Sequence, residues 1–235
     1  RMNIEVLKQG EFKVNRPKKS KKAKTMLLAL LPIAVLIIGS IFSSTFFFAR
    51  RYASVISVTE AAFSEDMPET ENVTNIALMD SSTAAIVGNR TLGSLSEVVS
   101  QFEVTSAYTQ INYRGMPQKV ANLEYADFFK WIGNRAGGIP GYVMVDPVEN
   151  TAEYKALSQP MRYAESGFFG DDLMRKLRFD YPTKILGTPR FEIDEEGSPV
   201  YVVPCYRPRV ALFGAKDVSE VILFDPTDGS SELYA

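Results

Sequence analysis

The side chains best placed for acid–base chemistry in this chain are carboxylates: the adjacent pair Asp171 and Asp172, and the group Glu192, Asp194, Glu195 and Glu196. Two carboxylates sharing a cleft can separate into a general acid and a general base, the arrangement a carboxylate-based hydrolase would use. The same residues also fit structural duties. Asp171 and Asp172 open "GDDLMRKLRFDYP" as first-turn charges of a helix, and "DEEGS" reads as a solvated turn. Asp225 and Asp228 in "DPTDG" offer oxygen ligands, but the calcium-loop pattern D-x-[DN]-x-[DN]-G is absent and a turn explains both. The chain has no His, which removes Ser/His/Asp and Cys/His nucleophiles, His-containing zinc sites and the imidazole pH switch. Its single Cys205, in "VYVVPCYRP", has apolar or aromatic second neighbours and reads as a buried strand residue; it has no partner for an intrachain disulfide. The sequence assigns no catalytic residue, no cofactor and no metal site.

The elements that must position these groups follow from patterning. Residues 25–49, "TMLLALLPIAVLIIGSIFSSTFFFA", contain no charge over 25 positions, enough to cross a hydrocarbon core of roughly 30 Å. Arg16, Lys18, Lys19, Lys21, Lys22 and Lys24 precede the run, whereas Arg50 and Arg51 are the only basic residues close behind it. The positive-inside bias therefore predicts a single-pass span at the cell membrane, with residues 1–24 as a cytoplasmic basic segment and residues 50–235 outside. The run is too long for a cleaved signal, and "FFFARR" is a poor cleavage site. Residues 1–51 carry 11 basic and 2 acidic side chains, or +9; the remainder carries 15 against 26, or −11. An acidic outer part argues against nucleic acid as a partner, and the basic run suits an anionic inner leaflet.

Beyond the span, Tyr52, Val55, Ile56, Thr59, Ala62 and Phe63 recur at helical spacing, so residues 50–71 are predicted to form a stalk that carries the helix outward before "SEDMPETEN" breaks it. Three stretches then repeat one theme: "NVTNIALMDSST", "GIPGYVMVDPVEN" and "DVSEVILFDPTDG". Each is an apolar run ending at Asp80, Asp146 or Asp225, followed by polar turn residues and a second apolar run, and each predicts a β-hairpin. "RFEIDEEGSPVYVVP" predicts a fourth, with Gly197 at the φ > 0 position. "NLEYADFFKWIGNRAGG" predicts a helix capped by Asn122 and stopped by Gly137 and Gly138; "GDDLMRKLRFDYP" predicts another ending before Pro182, and "GSLSEVVSQF" a shorter one. The fold class is therefore α+β: one transmembrane helix, then an extracytoplasmic region of antiparallel hairpins with packed helices, divided into modules at 72–136 and 137–235. The 27 aromatic residues, including Phe129, Trp131, Phe168 and Phe169 of "ADFFKW" and "SGFFGDD" and those of "YRPRV", are assigned to the core.

The strand, "D-P-T-D-G" turn and strand of "ILFDPTDGSSELY" resemble the hairpin of PepSY-type modules, which implies a regulator or inhibitor of an envelope peptidase. "LEYADFFKWIGNRAGGIPGYVMVDPV" and "FFGDDLMRKLRFDYPTKI" are similar to uncharacterised Gram-positive membrane proteins labelled as related to colicin V production, which implies an envelope location. The Arg that precedes Met2, and the stop at "SSELYA" with no closing helix, suggest a natural sequence that continues past Ala235. Three functions stay open: an interaction or scaffold module that docks another envelope protein, a PepSY-like peptidase regulator, and a carboxylate hydrolase.

Overall fold

The computed structural model describes residues 21–56, 58–60, 62–63 and 76–235. These fall into two compact units, one holding residues 21–56 with 208–215 and the other residues 58–207 with 216–235.

The first unit is built on α1 (Lys21–Phe42) and α2 (Thr45–Ala53). At about 1.5 Å per residue α1 is about 33 Å long, and Thr25–Phe42 is long and apolar enough to cross a membrane. The apolar run is not one helix as the sequence suggested. Ser44 turns extended (φ −73°, ψ 157°) and the helix breaks at Ser43–Ser44. Serine pairs are sites where a helix kinks, because the hydroxyls compete with the backbone ladder. The stalk also differs from expectation where it is described: α2 ends at Ala53, short of the helical run through Phe63, and residues 57, 61 and 64–71 lie outside the described residues.

The second unit repeats one plan twice. In the first sheet β1 (Phe102–Val104) and β2 (Thr109–Tyr113) both pair with β3 (Met116–Tyr125), followed by β4 (Ile139–Asp146) and β5 (Thr151–Met161). In the second, β6 (Ile185–Leu186) and β7 (Arg190–Ile193) both pair with β8 (Pro199–Pro208), followed by β9 (Lys216–Phe224) and β10 (Ser231–Tyr234). Each sheet is preceded by helix, α3 (Ser81–Gly93) with the single turn α4 (Ser96–Val99) before the first, and α6 (Leu173–Asp180) before the second. α5 (Phe128–Asn134) lies between β3 and β4. The α+β class with antiparallel sheets is as read from the sequence. The boundary expected at 136/137 falls between two strands that pair, β3 and β4.

The hairpins predicted at Asp146, Asp225 and "DEEGS" form, the last with Gly197 at φ 87°. The one predicted at Asp80 does not. Residues 76–80 are outside any strand, 72–75 are not described, and the Asp80 carboxylate accepts the Thr83 N–H at 2.6 Å as the N-cap of α3. An Asp that ends an apolar run satisfies orphan amides at a helix start as well as in a turn. Asn122 is not a cap either. It lies in β3 opposite Tyr142, and the helix starts one turn later, where Asp127 accepts from Lys130 N at 2.8 Å. Leu123, assigned to that helix, is fully buried in β3; long-range pairing with β1 and β4 overrides the local helical period. Of "GSLSEVVSQF" Gly93 is the last residue of α3, Ser96–Val99 form the single turn α4, and Phe102 already pairs in β1.

One hydrophobic cluster joins both sheets. β4 is buried on both faces. On one side α3 presents the small residues Ala84 and Gly88, one turn apart, with Gly88 against Val143. On the other, Tyr142 meets Phe191 of β7 (ring centroids 5.7 Å) and donates to Gly197 O at 3.0 Å. β8 alternates, turning Tyr201, Val203 and Cys205 into the core. Cys205 is the buried strand residue read from the sequence, and burial pushes its thiol up.

Candidate functional site

The site is assembled from two segments rich in paired phenylalanines. α5 is short and doubly fastened: Asp127 caps its start, and the Gly137 and Gly138 N–H groups both donate to Asn134 O at 2.9 and 3.0 Å, the glycine stop read from the sequence. Asn134 Nδ2 also donates to Gln101 Oε1 at 3.0 Å. The second segment is the 3-10 turn Phe169–Asp171. It is held by Asp171 N to Phe168 O and Gly167 N to Ala164 O, both 3.1 Å, and by Tyr125 N donating to Ser166 Oγ at 2.9 Å. Phe169 has φ 51°, a left-handed conformation unusual for a bulky residue.

These anchors bring five aromatic rings together. Trp131 is 1% exposed and forms the floor, touching Phe128, Phe168 and Phe169 at centroid distances of 5.5, 5.4 and 5.7 Å. Phe128 packs edge-on to Phe168 at 5.1 Å and to Phe129 at 5.7 Å. The floor is core, as expected, but the rim is not: Phe129 is 78% exposed, Phe169 60% and Ile132 54%. Helical and strand spacing put the phenylalanines among core residues, yet α5, which carries Phe129 and Ile132, has only its Trp131 side turned inward, and Phe169 stands on the 3-10 turn.

Beside the rim opens a cleft of about 520 Å³ lined by Arg135, Gly137, Gly138, Pro160, Arg162 and Asp171. Asp171 is not a first-turn charge of the helix that follows, as the sequence suggested; that helix starts at Leu173. Asp171 is buried, and its two oxygens accept from Arg162 Nε at 3.1 Å and Arg135 Nη2 at 3.2 Å. The hydrogen bond to Asp171 holds the Arg162 guanidinium still more firmly charged than usual. Arg135 stacks over Trp131 at 4.7 Å and Arg162 over Tyr163 at 5.3 Å. Two guanidinium groups thus share one carboxylate, leaving net positive charge at an open cleft. Neither arginine was singled out in the sequence; the signal that marks them is tertiary, since residues 135, 162 and 171 lie in three separate segments.

The remaining carboxylates are dispersed. Asp172 accepts Arg175 N at 2.6 Å and caps α6. Asp194 accepts Glu196 N and Ser198 N at 3.0 and 2.7 Å inside its turn. Glu192 lies on β7, its carboxyl raised by burial. Asp225 accepts from Thr227 N and Thr227 Oγ at 2.7 and 2.6 Å, and Asp228 from Ser230 N at 2.7 Å, so both serve their turn. Glu124, which the sequence placed in the first turn of a helix, lies in β3; it and Glu165, which the sequence did not mark, are raised first by desolvation, and the charge of Glu124 raises Glu165 further. Among the described residues no three His, Cys, Asp or Glu side chains converge on a point that could hold a metal ion. No family model, curated protein or solved structure matches the chain.

Proposed function

We propose that this chain is a membrane-anchored extracytoplasmic interaction module of a bacterial cell envelope, docking a protein partner through the Phe128/Phe129/Phe168/Phe169 rim and the arginine cleft beside it. The observation that carries the reading is the exposure of that rim. Leaving a phenylalanine side chain in water forfeits about 1.5–3 kcal/mol of burial, and here several share one contiguous patch with charge-bearing aromatic-stacked arginines, the composition of protein interfaces. The matching partner segment presents an apolar side chain next to a carboxylate, which would answer the guanidinium groups of Arg135 and Arg162. The apolar helix at Thr25–Phe42 and the charge asymmetry across it support the anchor and the outward placement of the acidic unit.

The test is crosslinking in intact cells from photoreactive residues at positions 129 and 169, with position 149 as control. One recurrent protein captured from 129 and 169 and not from 149 supports the reading; equal capture from all three removes the aromatic rim as the docking face. A second reading, regulation of an envelope peptidase in the manner of PepSY-type modules, draws on the β9–β10 hairpin, since the stretch that resembles those modules does form that hairpin. Capture of a peptidase, whose rate then changes on adding the full chain, would favour it.

A further inference from the structure

Residues 208–215 connect β8 to β9, yet their contacts group them with α1 and α2. The segment reads Pro-Arg-Val-Ala-Leu-Phe-Gly-Ala, apolar at its tip where a solvent-facing turn is ordinarily polar. Val210 is buried, whereas Leu212 and Phe213 are 65% and 45% exposed. The turn satisfies its own backbone: Arg209 N and Val210 N donate to Ala215 O at 2.7 and 3.3 Å, and Gly214 N donates to Val210 O at 3.0 Å. Phe213 N then donates to Ser43 Oγ at 3.1 Å, at the break between α1 and α2. The Phe213 ring lies against Gly39, one turn inside α1, so closely that a Cβ there would sit 2.4 Å from Cε2. Tyr52 donates to the Ser43 carbonyl at 2.6 Å, occupying an acceptor at the kink. Arg209 Nη2 donates to Ser54 O at 3.5 Å, just past the end of α2.

We infer that the 208–215 loop is a second membrane contact, inserting Leu212 and Phe213 into the bilayer leaflet beside the outer end of α1, with Arg50, Arg51 and Arg209 at headgroup level. The inference rests on the reading of α1 as a membrane span. A ring that touches Gly39 sits at the depth of the apolar run, so the medium that covers Ile38, Ile41 and Phe42 also covers the loop tip. Hydrocarbon accepts such a tip because four of the loop's N–H groups are already bonded and the exposed side chains of the tip, Leu212 and Phe213, are apolar. Basic residues flanking an apolar tip are the composition of segments that lie in the interface.

The full chain is reconstituted in phosphatidylcholine/phosphatidylglycerol vesicles and labelled with an environment-sensitive fluorophore through Leu212→Cys, with Leu31→Cys and Glu149→Cys as separate controls; Cys205 is buried in the folded protein and does not label. Spin-labelled lipids quenching near the headgroup are expected to lower fluorescence at 212 roughly twofold, deep quenchers to do so at 31, and neither to act at 149. Phe213→Ser is expected to reduce quenching at 212 and leave 31 unchanged. Quenching at 31 without quenching at 212 overturns the loop insertion while the anchor stands. No quenching at either overturns both.

Discussion

Asp146 and Asp225 occupy the same position in two different sheets. Each closes the second long strand, precedes Pro, and accepts the N–H two residues on, Val148 at 2.8 Å and Thr227 at 2.7 Å. Asp146 also accepts Glu149 N and Gln118 Nε2; desolvation pushes its carboxyl up, but these bonds outweigh it and the group stays below the usual carboxylate range. Asp225→Ala removes acceptors for Thr227 N and Oγ and is expected to cost about 1–2 kcal/mol. Asp225→Asn, which keeps one oxygen, should recover most of it; urea unfolding of both variants checks the prediction.

Asp171 is a charge buried between two half-exposed guanidinium groups. Asp171→Ala leaves both arginines without their acceptor and unfastens the turn that presents Phe169, and a loss of about 1–3 kcal/mol is expected. Arg162→Ala, at the exposed side of the pair, should cost less. Thermal melts ordered the other way would show that the cleft is not organised around Asp171.

Tyr201 is 1% exposed and its hydroxyl finds no hydrogen-bond partner among the described residues. Burial, with Glu124 and Glu165 nearby, raises its phenol well above the ordinary value. Tyr201→Phe keeps the packing with Phe191 and removes the unpaired oxygen, so stability should stay level or rise by about 1 kcal/mol. A fall in the urea midpoint would reveal a partner for that hydroxyl.

Glu124 and Glu165 give a pH signature. Each has a folded-state carboxyl raised above its unfolded value, so as pH rises past about 4.5 the unfolded state gives up its protons before the folded state does, and stability is lost over that rise. Glu124→Gln should therefore raise the melting temperature at pH 7 and have little effect at pH 4. Equal effects at both pH values would mean that its carboxyl titrates normally.

Phe129 and Phe169 face outward, and serine at either position should change stability little, by about 0.5 kcal/mol at Phe129. Loss of partner capture with an unchanged melt would separate docking from folding. A large drop in stability would return these rings to the core, where the sequence placed them.

What the sequence revealed was set by range. The turns at Asp146, Asp225 and Gly197 are decided within five residues, and all three form as read. α6 carries its cap at Asp172 and its stop before Pro182 in its own text. Leu123 and Asn122 were misplaced because the preference that decides them comes from β4, some twenty residues on. Asp80 was misread because an Asp accepting forward amides looks alike before a helix and before a turn. The cleft was invisible for the same reason as Leu123: nothing in the sequence around Arg135 announces Asp171, and nothing around Phe129 says that only the Trp131 side of its helix is covered.

The bond from Phe213 N to Ser43 Oγ spans 170 residues. During synthesis from the N-terminus the residues of the helix break at Ser43 are made long before its loop is, and the second sheet, in which β8 and β9 are neighbours, can form only as the later residues arrive. Closing a loop of that length costs entropy before any contact repays it. The helix pair is therefore an early resident and the 208–215 loop a late arrival, and until it docks, the Tyr52 phenol on the Ser43 carbonyl is the side-chain bond left at the kink. A nascent chain halted before residue 208 would show that kink with its far half still unborn.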